Sequence, residues 1–257
     1  MFNFADLDFT LYKFRQLLEA LAENYSTLTM AEYLCLEQLP ERFALIRHDV
    51  DRMPKNSLNT SLIESELGVK ATYYFRARNN VFVPEILQEI AAYGHEIGYH
   101  YEVLSDSGGD YDLALALFKQ NLKEFRNICE VKTICMHGSP LSKYDNRDLW
   151  KKHSFETFGI IGEAYLSVEG KLNYFSDTGR SWNSKNNIRD FLPGSSGLVG
   201  IKDTDELIEL IREKKLPNFY ILIHPERWAS TLTEWSLYYS WDLGVNLAKK
   251  VLLGVRK

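Results

Sequence analysis

From residue 43 onward the chain alternates two kinds of segment, and this alternation restricts the fold more than any other feature. Short runs rich in β-branched and aromatic residues fall at 43–50, 71–76, 95–101, 132–138, 158–166, 172–177 and 219–224, with longer helix-patterned stretches between them. The helix ends carry their own signals. Pro54 suits a first turn and Gly68 closes the helix containing Leu58, Leu62 and Leu67; Pro84 and Gly94 bracket the next. Asp110 or Asp112 caps a helix through Phe125, Asp203 or Thr204 caps the stretch that follows, and a last helix runs from about 233 to 253. Strands separated by helices pair in parallel, and this many strands in 257 residues predict an α/β fold closed into a (β/α) barrel rather than an open sheet. Upstream, Phe9, Phe14, Leu17, Leu18 and Leu21 recur at helical spacing. Residues 1–42 are therefore expected as an N-terminal helical segment packed on the barrel. With no repeat, low-complexity tract or linker-like run, 1–257 reads as one domain, and the stretch from 181 to 200 as irregular.

Composition narrows the function classes. Hydrophobic residues at 45% and charged residues at 25% are ordinary globular values. A net charge of -5 offers no broad basic surface, which argues against nucleic acid and leaves a small molecule or saccharide as the expected partner. Three cysteines without a CxxC pair argue against a disulfide framework. No apolar run reaches the roughly 18 residues of a membrane span, and no basic segment leads into an apolar one at the start. A cytoplasmic location is the expectation; nothing here speaks to oligomeric state.

Chemistry in a parallel barrel gathers at the C-terminal ends of the strands. Those ends hold Arg47, His48, Asp49 and Asp51, then His100 and Glu102, then His137, Asp177 and His224. Any one Asp or His at such a place is more often a cap or a satisfied structural residue. The whole set on one rim is more simply explained by a shared metal site. Asp49 and Asp51 differ by two and so share a face of an extended strand, as do His100 and Glu102. Imidazoles and carboxylates with an open position suit a divalent ion, zinc first, with cobalt or nickel as alternatives. His48 and His95 have the opposite parity, and His153 has no visible partner; these three read as structural.

At these residues the chain resembles the polysaccharide deacetylase (NodB-homology) superfamily, over about 43–227. Gly94-His95-Glu96-Ile97-Gly98-Tyr99-His100 looks like its strand ending in a metal-binding His. Arg47-His48-Asp49-Val50-Asp51 looks like its first motif, with the two aspartates separated by Val50, and Leu222-Ile223-His224-Pro225-Glu226 resembles its late strand ending in a catalytic His. The resemblance implies a distorted (β/α)7 barrel and deacetylation of an N-acetylated sugar. It assigns Asp49 as general base, Asp51 and His100 as metal ligands, and His224 as general acid. This chain departs from the family pattern at Leu104, where a second metal-binding His is expected, so Glu102 or His137 is the candidate replacement. It also lacks the central Arg in Met136-His137-Gly138-Ser139-Pro140, so Arg180 or Arg47 is the candidate guanidinium for orienting a carboxylate. Asp177 falls in an approximation of the family's Asp/Trp motif that runs to Trp182.

Among the aromatics near the rim, Trp182 and Trp228 flank candidate site residues and are the leading candidates for stacking on a sugar; Tyr73, Tyr99, Tyr101 and Tyr144 follow. Two other readings stand beside the deacetylase. One is metal-dependent hydrolysis of a phosphate ester or cyclic amide, for which no glycine-rich loop opening a helix is found. The other is a saccharide-binding barrel whose catalytic site has decayed, favoured by Leu104 and the missing central Arg.

Overall fold

A computed structural model describes residues 4–138, 142–168, 170–182 and 200–255. The strands are β1 (Ser26–Leu28), β2 (Phe43–Val50), β3 (Thr72–Arg76), β4 (Glu96–Tyr101), β5 (Thr133–Met136), β6 (Gly162–Glu163), β7 (Asn173–Ser176) and β8 (Phe219–Ile223). Every pairing is parallel, in the order β6-β5-β4-β3-β2-β8-β7. β1 pairs with Phe43–Leu45 at the start of β2, ahead of the stretch from Arg47 onward that pairs with β3. Among the described residues β6 and β7 do not pair, so the curled sheet is a distorted (β/α) barrel with a seam between them.

Helices connect the strands: α1 (Leu11–Asn24), α2 (Met30–Cys35), α3 (Pro54–Glu66), α4 (Pro84–Ala92), α5 (Val103–Asp106), α6 (Tyr111–Arg126), α7 (Thr204–Arg212) and α8 (Leu232–Val255). Pro54 and Pro84 sit in first turns, while Asp110 and Asp203 accept from their helices' first backbone amides. In α1, Phe14, Leu17, Leu18 and Leu21 are buried, and Lys13 bonds Asp205 of α7 at 2.6 Å. Beyond it, Leu11 donates to the Ala229 carbonyl at 2.8 Å and Ala229 donates to the Phe9 carbonyl at 3.0 Å. The predicted strand over 158–166 is corrected. Phe155–Phe158 form a 3-10 turn and only Gly162–Glu163 extend, because the run is broken by Gly159 in the left-handed region (φ 68°).

Parallel strands covered on both faces have no solvent side, and all eight residues of β2 are buried. Outward from the barrel, Ile46, Tyr73, Phe75, Ile97, Tyr99, Tyr101 and Ile134 join the apolar core. The inward face carries Arg47, Asp49, Tyr74, His100 and Cys135, with Asp49 beside Tyr74 and His100 beside Cys135 in register. Gly98 is required here: a Cβ on it would meet the Tyr74 ring at 2.3 Å, and that ring crosses the interior so that its hydroxyl bonds Thr133 Oγ1 at 2.8 Å.

Candidate functional site

Strand parity delivers Arg47, Asp49 and Asp51 of the β2 end to the same interior as His100 and Glu102 of the β4 end. Arg47, wholly buried, grips Asp49 with two parallel bonds: Nε to Oδ1 at 2.7 Å and Nη2 to Oδ2 at 2.5 Å. Nη2 also donates to the Tyr165 hydroxyl at 2.8 Å, and the guanidinium lies 4.2 Å from that ring's centre. Burial acts to raise the Asp49 carboxyl, but Arg47 and His100 outweigh it and hold it below the ordinary carboxylate range. Arg47 is thus the guanidinium that orients a carboxylate. Among the described residues Arg180 grips no carboxylate: its Nη1 donates to the Arg227 carbonyl at 3.1 Å and its guanidinium lies over Phe9 and Trp235.

Asp51 faces two imidazoles. Its Oδ1 is 3.3 Å from His100 Nε2 and 3.5 Å from His137 Nε2, is out of solvent contact, and makes no close hydrogen bond among the described residues. Each imidazole is steered from behind. His100 Nδ1 lies 3.0 Å from the Cys135 carbonyl oxygen, which can only accept, so that nitrogen carries the proton. His137 Nδ1 lies 3.1 Å from Glu102 Oε2. Both Nε2 atoms are therefore turned towards one carboxylate oxygen, an arrangement satisfied by a bound cation or, without one, by the proton of a charged imidazole. Two ligands each about 2.0–2.1 Å from a tetrahedral zinc stand about 3.3–3.4 Å apart, close to the separations at Asp51. Burial tends to raise Asp51, but His137 and His100 hold it well below its ordinary value.

Glu102, expected as a possible ligand, is already engaged. Arg76 holds it through Nε at 2.9 Å and Nη2 at 2.8 Å, Arg78 adds a bond at 2.8 Å, and His137 takes the remaining approach. It positions His137 instead. A different group of donors, Asp49, His100 and Cys135, has ligand atoms within 4.8 Å of one another. Both Asp49 oxygens are committed to Arg47, however, which makes Asp51 the better first ligand beside His100. Cys135 escaped sequence reasoning although it shares a face with His137 two residues on.

His224, at the end of β8, is fixed by Asp177 from the neighbouring strand's end. Its Nδ1 is 2.6 Å from Asp177 Oδ1 and its backbone amide donates to Oδ2 at 3.0 Å. Arg227 Nη1 and Trp228 Nε1 both donate to Asp177 at 3.1 Å. Burial and Arg227 act to lower His224, and Asp177 outweighs them, so it titrates above its ordinary value. Asp177 is lowered: burial opposes this, and His224 and Arg227 prevail. The charge of His224 also helps to lower both Asp49 and Asp51. Arg227 is a further residue that the sequence reading missed.

The stacking role for the two tryptophans is overturned. Trp228 is 1% exposed and Trp182 4%, each packed against Phe9, with Trp182 Nε1 donating to Thr204 Oγ1. Trp228 serves the site only by orienting Asp177. Tyr73, Tyr99 and Tyr101 are likewise buried in the outer core. His48 and His95 lie on that outer side too: His48 Nε2 is 2.7 Å from Glu64, and His95 Nε2 is 3.0 Å from the Ser61 carbonyl, both on α3. Of the irregular stretch 181–200, residues 183–199 lie outside the described residues.

Glu226, two residues past His224, is buried with Oε2 lacking a partner among the described residues. Burial and then the charge of Asp51 push its carboxyl up to about 7 from an ordinary 4.5. In metal-free protein the folded state keeps this proton after the unfolded chain has released it. Stability is therefore full below about 4.5 and falls as pH rises through about 7. Glu226→Gln is expected to remove that slope, worth roughly 3 kcal/mol at its alkaline end. Thermal unfolding of both proteins at mildly acid and mildly alkaline pH, with chelator, measures it; parallel pH curves would refute the assignment.

No family profile matches the chain, and no curated protein matches it. Among solved structures, a CE4 family pseudoenzyme from Bacillus anthracis aligns with a TM-score of 0.41 at 15% identity, covering 80% of this chain and 60% of its own. A mutant of that pseudoenzyme with restored enzymatic activity aligns with a TM-score of 0.42 at 15% identity, covering 80% and 63%. The chain thus spans less than two thirds of the length of either.

Proposed function

We propose that the chain is a metal-dependent hydrolase that deacetylates an N-acetylated sugar or a related small amide. The observation that carries this reading is the buried Asp51 Oδ1 facing His100 Nε2 and His137 Nε2, with each imidazole steered by a hydrogen-bond acceptor at its other nitrogen. Asp51, His100 and His137 would hold the ion, and zinc is the first choice for two imidazoles and a carboxylate, with cobalt or nickel as alternatives. Once bound, a divalent ion lowers the pKa of water and polarises the amide carbonyl.

The remaining chemistry falls to the chain's own groups. Asp49 accepts a proton from the attacking water, and Arg47 keeps that carboxylate ionised and aimed. His224, with Nδ1 committed to Asp177, offers Nε2 to protonate the departing amine. Water adds across the amide, so acetate and a free amine leave. The second reading, a saccharide-binding barrel without turnover, is favoured by the same Arg47 clamp, which occupies both Asp49 oxygens.

Calorimetric titration of chelator-treated protein with zinc is the first test. The wild type is expected to bind one equivalent, and Asp51→Ala to weaken binding by more than the roughly 10–100-fold typical of outer-shell changes. Acetate release from N-acetylated sugars that depends on added zinc, cobalt or nickel would support the hydrolase. Zinc uptake unaffected by Asp51→Ala would sink the proposed centre, and saccharide binding without acetate release would favour the second reading.

A further inference from the structure

α8 turns Asp242 and Asn246 towards the protein and leaves several large apolar side chains exposed, with the exposed Ser236 and Ser240 among them, unlike an ordinary surface helix whose apolar residues face the core. Asp242, 4% exposed, lies 3.8 Å from Arg227 and 3.6 Å from Arg52; Asn246 donates to the Gly179 carbonyl at 2.9 Å; the Tyr238 hydroxyl accepts from Asn56 at 3.3 Å. These positions form one stripe at helical spacing. On the opposite side stand Leu237, Trp241 and Leu247, 63%, 58% and 64% exposed, with Leu243 beside them at 59%. So many large apolar side chains exposed on one helix mark a surface that something covers.

We propose that this face docks on the surface of an anionic lipid bilayer, with α8 lying in the headgroup plane. Charge is the first argument. Residues 249–257 carry Lys249, Lys250, Arg256 and Lys257 and no acid, in a chain whose net charge is -5. Over 232–248 the acids are Glu234, tied to the Ser230 amide and hydroxyl, and the buried Asp242, so Glu234 is the one acid of this stretch that is not buried. Aromatic side chains come next: Trp241 and Tyr239 are exposed, and such amphipathic rings favour the headgroup level. Among the described residues no helix is long and apolar enough to cross a bilayer, which leaves a helix lying on the surface as the matching geometry.

A second copy of the chain fits less well. At 24 residues α8 is about 36 Å long. A strip of that length and roughly 10 Å width buries about 700 Å² in total between two helices, short of the roughly 1,000 Å² of a stable interface.

Co-sedimentation of the full chain with phosphatidylcholine vesicles, with and without about one-third phosphatidylglycerol, tests the proposal without reference to hydrolysis. The chain is expected to bind the anionic vesicles at least about tenfold more tightly than the neutral ones. Leu237→Glu with Leu247→Glu is expected to weaken that binding at least about tenfold; both side chains are exposed, and an unchanged Tm confirms the fold. Lys249→Gln with Lys250→Gln is expected to reduce the preference for anionic vesicles. The proposal fails if the wild type stays in the supernatant with both vesicles, or if the double glutamate variant pellets as the wild type does. It also fails if sedimentation velocity shows a dimer that this variant dissolves while no vesicle binds.

Discussion

Asp49→Asn is expected to lower kcat/KM for acetate release by about 10²–10⁴-fold, the usual worth of a positioned general base. An amide in place of the carboxylate cannot take the proton from water, and its NH₂ would point at a guanidinium that has only donors to offer. Zinc titration separates the chemistry from the metal. If Asp51 and the two imidazoles hold the ion, the Asn variant loses turnover while zinc affinity changes little. A parallel loss of zinc affinity would instead make Asp49, with His100 and Cys135, the metal centre. Full activity in the Asn variant would remove Asp49 from the reaction. Because Arg47 and His100 hold Asp49 below the ordinary carboxylate value, the wild-type rate is expected to keep this base ionised down to acid pH. His224 is held above its ordinary 6.5, so loss of its proton, and of the acid function, comes on the alkaline side of that value.

Arg47→Met is expected to destabilise the protein by about 3–5 kcal/mol at neutral pH, because Asp49 would remain buried with no guanidinium beside it. The sign of its pH dependence follows from the same pair. In the wild type the depressed Asp49 contributes stability above its unfolded pKa, and this is lost as pH falls through the folded value. Without Arg47 the carboxyl rises, so the variant's deficit shrinks towards acid pH. Chemical denaturation at two pH values measures this, and Arg47→Met with Asp49→Leu should recover most of the loss, since replacing both members of a buried pair is often neutral. A single Arg47→Met change that leaves stability intact at neutral pH would show that the pair is not buried as described.

The interior set was legible because a strand has a side-chain period of two. On β2 and β4 that period alone separated Arg47, Asp49, Asp51, His100 and Glu102 from His48 and His95. Which interior carboxylate is free was not legible, because it depends on register between strands. Arg76 lies beside His100 across β3 and β4, and from there reaches Glu102. The partner of His48 was hidden for a related reason: Glu64 is a buried acid on α3, among Ser57, Thr60 and Ser61, where nothing in the pattern marks an inward face. Trp182 and Trp228 follow the ends of strands, where no period says which way a ring turns. The run at 158–166 was apolar enough to read as a strand, yet Gly159 lets the chain turn.

The tie between the Phe9–Leu11 backbone and Ala229 has a consequence for how the molecule comes into being. As the ribosome delivers the chain, α1 emerges early, but α7 and the Ala229 backbone follow some two hundred residues later. Until then Phe14, Leu17 and Leu18 have no completed surface to bury against, and the nascent protein carries a sticky apolar helix until α7 and Ala229 have been made. Assembly of the His224 rim is correspondingly a late event, sealed when a segment made early meets one made some two hundred residues after it.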